Sequence, residues 1–463
     1  MIISNKLTIS PSDSCYARAK EFCENELTFA NPAFLQAERM GFWTGNIPRK
    51  IRMYVTDSDN LILPFGCYRQ FLDVASSSEY WEVDFAKNLP NEMTGNIKLY
   101  DYQDKAVGKM LNARNGILIA PTGAGKTMCG LALIKYLGKK ALWLTHTKDL
   151  LNQSKERCEA FYEGDFGTIA EGKVNIGRDV TFATVQTMAK QDLSLYKYSW
   201  DVIIVDEVQR VCATPNSTAL FETVLNNLAA RYKYGLTASL SRADRLQKCA
   251  EYLIGEVIYE IPREAVADKI INARVEAVKL NTPESKKYLN TDGTQDYTKL
   301  LNYLCSNDYR TAEIARRLNE NSEHYNLILS DRTEHLRAIM SLVERQDLCC
   351  MIDSSMRNKK EKLLRQEYLE LMRKGEKRYL FATYGLAKEG LDIPCLDRLY
   401  LTTPHKDRST ILQSVGRIRR KCEGKREPIV YDFVDDNIEY CVKAHKTRRT
   451  TYKKIDCIID KKY

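Results

Sequence analysis

The stretch Ala120-Pro-Thr-Gly-Ala-Gly-Lys-Thr127 follows a short apolar run, Gly116-Ile-Leu-Ile-Ala120, and opens an apolar-periodic segment from Met128 to Leu137. That order predicts strand, loop and helix. In such a loop glycines let backbone N–H groups turn inward around phosphate oxygens, a lysine reaches the outer phosphates and a hydroxyl binds Mg²⁺. Pro121, Thr122, Gly123, Ala124 and Gly125 form the loop, and Lys126 and Thr127 stand where this chemistry needs them. The strict spacing GxxxxGK[ST] fails at its first position, Ala120, while the working end is complete. ATP with Mg²⁺ is the expected ligand.

About 80 residues beyond Lys126, Asp201-Val-Ile-Ile-Val-Asp206-Glu207-Val-Gln209 is an apolar strand ending in two acids. One acid can help hold the metal while the other handles water. Asp206 is assigned to Mg²⁺ beside Thr127, and Glu207 to orienting and deprotonating the attacking water.

A chain of 463 residues is expected to form two to four domains. Hydrophobic residues at 44% and charged ones at 28% are ordinary for a folded globular protein. Met1-Ile-Ile-Ser-Asn-Lys6 lacks the features of a signal peptide, and no run approaches the roughly 20 apolar residues of a membrane span, so a cytoplasmic protein is expected. The 14 Cys include no CxxC pair and read as reduced, buried thiols rather than metal ligands. The net charge of +9 is unevenly placed: residues 1–95 carry 9 Lys/Arg against 12 Asp/Glu, and 440–463 carry 8 against 2. That basic end suggests phosphate contacts from Lys443, Lys446, Arg448, Arg449, Lys453 and Lys454.

Residues 1–95 mix a helix-like stretch near Tyr16 to Leu27 with short strands at Ile51 to Val55 and Leu61 to Leu63, which predicts a small α+β domain. Its Arg49, Lys50 and Arg52 could touch phosphates, and Phe42-Trp43 reads either as an apolar wedge or, by ordinary aromatic burial, as core. From Gly116 onward apolar runs alternate with helical patterns, as in parallel α/β sheets. Five strands are expected near 117–120, 141–145, 180–184, 202–205 and 234–237, and five more near 325–329, 349–353, 379–383, 398–401 and 429–433.

With these segments in hand the chain resembles the superfamily 2 helicases and translocases over about residues 96 to 435. Leu99-Tyr100-Asp-Tyr-Gln103 looks like the adenine-side element, with Gln103 reading the base. Thr145-His146-Thr-Lys148 and Thr184-Val-Gln186 look like motifs Ia and Ib, which in the family contact the nucleic-acid backbone. Gly235-Leu-Thr237-Ala-Ser239 resembles motif III, Ser330-Asp-Arg332 motif IV, and Phe381-Ala-Thr383 through Glu389-Gly390-Leu-Asp392 motif V. Gly390 and Asp392 are thereby implied at the nucleotide, and Ser330, Arg332 and Thr383 at nucleic acid. Gln413-Ser-Val-Gly-Arg417-Ile-Arg-Arg420 resembles motif VI, whose outer arginines correspond to the family's fingers. An arginine supplied from a second domain can be worth about 10³ to 10⁵ in rate. Arg417 and Arg420, three apart on an expected helix, would share one face. The wording of motifs Ia, V and VI is similar to the XPB-like group and phage UvsW-type enzymes. One departure stands out: motif II reads Asp-Glu-Val-Gln, with Gln209 where relatives usually carry His.

The resemblance implies two tandem RecA-like parallel-sheet domains with a small α+β N-terminal domain. The expected boundaries are 1–95 accessory, 96–268 ATP-binding, 269–436 second RecA-like domain and 437–463 basic helix or tail. It implies an ATP- and Mg²⁺-dependent motor on DNA, duplex or branched, with single strands as a further partner, acting as a monomer in the cytoplasm, or in the host cytosol if a phage encodes it. An RNA-directed or transcription-linked motor and a nucleotide-switched clamp are the alternatives, separated by which polymer stimulates ATP turnover and by triplex displacement.

Overall fold

The computed structural model describes residues 1–460 apart from 76–80, 212–214, 241–245, 291–293, 354–355, 357–358, 389–390 and 392. The strand Asn115–Ile119 that leads into the glycine-rich loop lies in an eight-stranded sheet. Across that sheet the order is Lys173–Asn175, Phe166–Ala170, Val180–Thr184, Ala141–Thr145, Val202–Asp206, Tyr232–Thr237, Asn115–Ile119 and Val257–Glu260. Only Lys173–Asn175 runs antiparallel to its neighbour. The central strands are continuous apolar runs because helices cover both faces of a parallel sheet, and Val202–Asp206 and Ala141–Thr145 are buried at every residue. Gly125, in the left-handed region, starts the helix Lys126–Leu137, and Gly138, also left-handed, stops it.

The chain divides into two units, Met1–Ala265 and Val266–Tyr463. The second is built on seven parallel strands in the order Cys349–Ile352, Tyr379–Thr383, Asn326–Ser330, Arg398–Leu401, Ile429–Asp435, Arg274–Leu280 and Ile458–Ile459. Sequence reasoning places five adjacent strands of each sheet to within about two residues. It misses Phe166–Ala170 and Val257–Glu260, which join the first sheet toward its two ends, and Arg274–Leu280, whose seven residues include Arg, Glu and Lys.

Residues before 96 carry a five-stranded sheet, Val55–Asp57, Asn60–Pro64, Lys6–Ile9, Ile2–Ile3 and Glu82–Val83, and the helix Tyr16–Asn25. Most of their described buried apolar side chains join the core of the first unit. Ile3, Leu7, Phe65 and Phe71 belong to the same apolar cluster as Leu225, Tyr252, Leu253 and Ile254. Tyr252 donates its hydroxyl to Glu26 O at 2.7 Å, and the fully buried Lys233 ammonium donates to Leu225 O at 2.8 Å and to Asn5 O at 3.3 Å.

The C-terminal basic segment is packed structure as well. Its helix, Glu439–Lys454, buries Cys441, Ala444, Arg448 and Tyr452. Arg448, expected at phosphates, is withdrawn from solvent: its guanidinium is paired with the buried Asp432 carboxylate, reaching Oδ1 at 2.5 Å. Arg448 also donates to His405 O at 3.1 Å, and the Tyr452 hydroxyl donates to Asp432 at 2.8 Å. A buried carboxylate needs such partners, which is why the arginine turns inward. Lys443, Lys446, Lys453 and Lys454 remain exposed.

Candidate nucleotide site

Three neighbouring strands end at one edge of the first sheet. Register sets Thr237 beside Ile119 and Asp206 beside Leu236, so the glycine-rich loop, Asp206-Glu207 and Gly235-Leu-Thr237 open side by side. In parallel α/β sheets the carboxyl edge is where ligands bind.

The loop is shaped for phosphate. Gly123 and Gly125 have φ of +92° and +77°, values an L side chain rarely adopts. A Cβ on Gly125 would stand 2.4 Å from Gln103 Nε2. That Nε2 donates to Ala124 O at 2.8 Å, while Gln103 Oε1 accepts from Tyr100 N–H at 3.0 Å. Gln103 therefore reaches the loop itself and braces it. Thr122 Oγ1 is buried and has no partner among the described residues, a hydroxyl left over for a phosphate oxygen.

Beyond the loop the charged residues form a chain. Lys126 Nζ lies 2.5 Å from Glu207 Oε1. Glu207 Oε2 accepts from Gln209 Nε2 at 2.5 Å, and Gln209 Oε1 accepts from the Thr237 hydroxyl at 2.6 Å. Thr237 Oγ1 accepts in turn from Ser239 N–H at 3.0 Å, with Ser239 O 2.9 Å away. Glu207 sits at φ +52°, a conformation that costs a non-glycine residue about 1 to 2 kcal/mol and that turns its carboxylate out of the strand line. Asp206 is buried, which pushes its carboxyl up to about 6 against the opposing pull of the Lys126 ammonium. Two oxygen donors, Asp206 and the buried Thr127 hydroxyl, suit a hard divalent cation.

One neighbour was not anticipated. Arg157, on the helix Lys148–Phe161, places Nη1 3.5 Å from Thr127 Oγ1, and its charge also acts on Asp206. The only sequence signal for it is its helical spacing, one turn beyond Gln153.

The residues expected at nucleic acid also gather at strand ends. Thr145 pairs with Thr184 in register, so His146, Lys148 and Gln186 follow adjacent strands. Gln186 Nε2 donates to His146 O at 2.9 Å, burial and the charge of Arg210 lower the His146 pKa, and Lys148 forms an exposed ion pair with Glu171 at 2.6 Å. Thr145 and Thr184 are buried and spend their hydroxyls on Thr147 O and Thr187 Oγ1. In the second unit Ser330 pairs with Thr383 in the same way. Ser330 is buried and bonded to His335 Nδ1 at 3.0 Å, whereas Arg332 donates Nε to Asn302 Oδ1 at 3.0 Å. Arg49 and Lys50 are exposed. Gly390 and Asp392 lie outside the described residues.

Arg417 occupies the last turn of the helix Arg408–Ile418, with Nη1 donating to Leu391 O at 3.1 Å. The helix ends before Arg420, so helical spacing does not set the direction of the pair. Between them Arg419 is buried and structural, donating to Ile271 O, Ile455 O and Asn272 Oδ1.

A phosphate loop, a strand-end acid pair and two parallel-sheet units define a P-loop ATPase built from RecA-like domains. Residues 96–242 match the family model described as type III restriction enzyme, res subunit, and residues 309–422 match the helicase conserved C-terminal domain, together more than half of the chain. The chain is 27% identical to the DNA 3'-5' translocase XPB2 of Sulfurisphaera tokodaii over 373 residues, covering 73% of this chain and 82% of that protein. It is 23% identical to the ATP-dependent DNA helicase uvsW of Enterobacteria phage T4 over 441 residues, 88% of this chain and 83% of that protein. In fold it resembles the ATP-dependent type ISP restriction-modification enzyme LlaBIII bound to DNA, with a TM-score of 0.58 and 18% identity over 77% of this chain and 30% of that one. The chain belongs to the superfamily 2 helicases, of the XPB and UvsW type: an ATP-hydrolysing helicase or translocase that acts on nucleic acid.

Proposed function

We propose that the protein is a DNA translocase that remodels branched DNA, by fork regression, branch migration or unwinding, in replication, recombination or repair. The observation that carries the motor part of the reading is the unbroken chain Lys126, Glu207, Gln209, Thr237, which ties the nucleotide site to the segment resembling motif III. The choice of DNA rests on likeness to relatives named as DNA translocase and DNA helicase.

In this reading Lys126 leaves Glu207 for the β and γ phosphates when ATP enters, and the released Glu207 carboxylate accepts a proton from the attacking water. Thr127 and Asp206 hold Mg²⁺, which when bound supplies positive charge at the phosphates. Arg417 and Arg420 supply positive charge to the transition state, and Gly390 and Asp392 contribute to nucleotide binding. His146, Lys148 and Gln186 in one unit, and Arg332 and Thr383 in the other, grip the backbone, which fixes position without reading sequence. The buried Ser330, Thr145 and Thr184 hydroxyls hold those loops in shape. Residues 1–95 carry the structural selectivity.

The test is ATP turnover with single-stranded, duplex, forked and RNA cofactors, followed by regression of a model fork. Preferential stimulation by forked DNA together with regression supports the reading. Stimulation by RNA alone, or stimulation without strand movement in a triplex-displacement assay, overturns it.

A further inference from the structure

The charge of the N-terminal residues is concentrated in one place. Residues 1–95 are net acidic, yet between 32 and 56 the chain carries Arg39, Arg49, Lys50 and Arg52 against a single acid, Glu38. Within it the segment 40–43 exposes three large apolar side chains: Met40 at 58%, Phe42 at 62% and Trp43 at 74%.

The loop that shows them is tied down. Phe42 N–H donates to Ala37 O at 2.9 Å and Ile47 N–H to Thr44 O at 2.9 Å. Asn31 clamps the far end, with its N–H on Arg49 O at 3.0 Å and its side-chain amide on Pro48 O at 2.8 Å. The Trp43 indole rests against Gly45, where a Cβ would come within 2.3 Å of Cζ2, and the Arg49 guanidinium sits 5.8 Å from the Phe34 ring centroid.

We infer that Phe42 and Trp43 form a stacking surface for unpaired nucleobases, with Arg39, Arg49, Lys50 and Arg52 following the phosphates of the same strand. Ordered aromatics interleaved with cations are the chemistry of single-strand binding: every base offers a π-face, and the backbone supplies the matching negative charge. In the chain Arg39 precedes both aromatics and Arg49, Lys50 and Arg52 follow them, so the exposed rings lie within a cationic stretch. On a forked substrate such a surface holds the bases that strand separation exposes. This rests on the nucleic-acid translocase reading and adds to it a second contact, outside the paired strand ends of the two sheets.

Trp43 also reports on itself, because Trp143 and Trp200 are buried and Trp81 is half-buried. A 20-nucleotide oligo-dT titrated into the full-length protein is expected to quench its tryptophan emission, with a blunt duplex of equal length quenching little. Trp43→Ala should weaken oligo-dT binding about 5- to 100-fold, with the dependence of log affinity on log salt unchanged. Trp43→Phe should restore most of the affinity, and Arg49→Ala should lower the salt slope by about 0.7. Unchanged affinity in Trp43→Ala, equal quenching by blunt duplex, or concentration-dependent self-association that Trp43→Ala abolishes would each overturn the inference. ATP turnover is read in the same samples. Loss of DNA stimulation in the wild type would overturn the translocase reading, whereas retained stimulation with unaffected Trp43 variants would overturn the stacking surface alone.

Discussion

The Thr237 hydroxyl donates to the Gln209 side-chain oxygen over 2.6 Å, and the same amide holds Glu207 through its nitrogen. An amide has one donor end and one acceptor end, as a neutral imidazole has, so glutamine serves at a position where the resemblance to motif II implies histidine. Unlike imidazole it does not titrate near neutral pH. Gln209→Ala is expected to leave nucleotide affinity within about threefold and to reduce DNA stimulation of turnover about tenfold, in line with loss of a hydrogen bond to a charged group. Gln209→His should retain stimulation but make it pH-dependent between about 6 and 7. Steady-state turnover with and without DNA across that range checks both.

The 2.5 Å contact between Lys126 and Glu207 couples binding to chemistry. Lys126→Ala should reduce turnover at least about a hundredfold by removing the charge that meets the β and γ phosphates. Glu207→Gln should bind ATP at least as well as wild type, because Lys126 no longer leaves a carboxylate, yet hydrolyse it at least about a hundredfold more slowly. A fluorescent ATP analogue and a phosphate-release assay separate the two effects.

Arg417→Ala and Arg420→Ala are each expected to lower DNA-stimulated kcat by at least about a hundredfold while changing ATP affinity little, since fingers act mainly in the transition state. Normal turnover in both variants would remove them from that role.

The C-terminal helix makes opposite demands of neighbouring cations. Burial alone would raise Asp432, but Arg448 and His445 hold its carboxyl down to about 2. Arg448→Ala takes the arginine from that buried carboxylate and leaves it only His445 and Tyr452, and should destabilise the second unit by about 3 kcal/mol in thermal or urea unfolding. Lys446→Ala and Lys453→Ala should change stability by less than about 0.5 kcal/mol. If those lysines meet phosphate, each should flatten the salt dependence of DNA binding by about 0.7 to 0.9.

Lys233 gives a pH signature. Burial, with a further push from Lys6, lowers its ammonium pKa from 10.5 to about 7. Between those values the unfolded chain holds a proton that the folded chain has released, so stability rises with pH from about 7 to about 10. Lys233→Met should remove that rise, and thermal unfolding at pH 7 and pH 9.5 measures the difference.

The central strands were legible because a strand buried on both faces is a continuous apolar run, as in Val202–Asp206 and Tyr379–Thr383, and no partner is needed to recognise it. Phe166–Ala170 and Arg274–Leu280 were not, since Gly and Thr interrupt the one and charged residues the other, and their sheet partners come from distant segments. The glycine-rich loop was read for a related reason. It recognises phosphate with backbone N–H groups and side chains that are consecutive in the chain, so spacing alone carries the geometry.

By itself, then, the sequence determined the two α/β units, the loop that binds phosphate and the acid pair that follows at a strand end, all of them local patterns. Only tertiary structure decided which groups meet. It set Glu207 against Lys126 across 81 positions, brought Arg157 to Thr127, buried Arg448 on Asp432 and left Trp43 in solvent. It also merged the first 95 residues into the core of the ATP-binding unit. Burial and charge pairing are properties of neighbours in space. A lysine, arginine or tryptophan looks the same in a sequence whether its neighbour is water, a carboxylate or a packed ring.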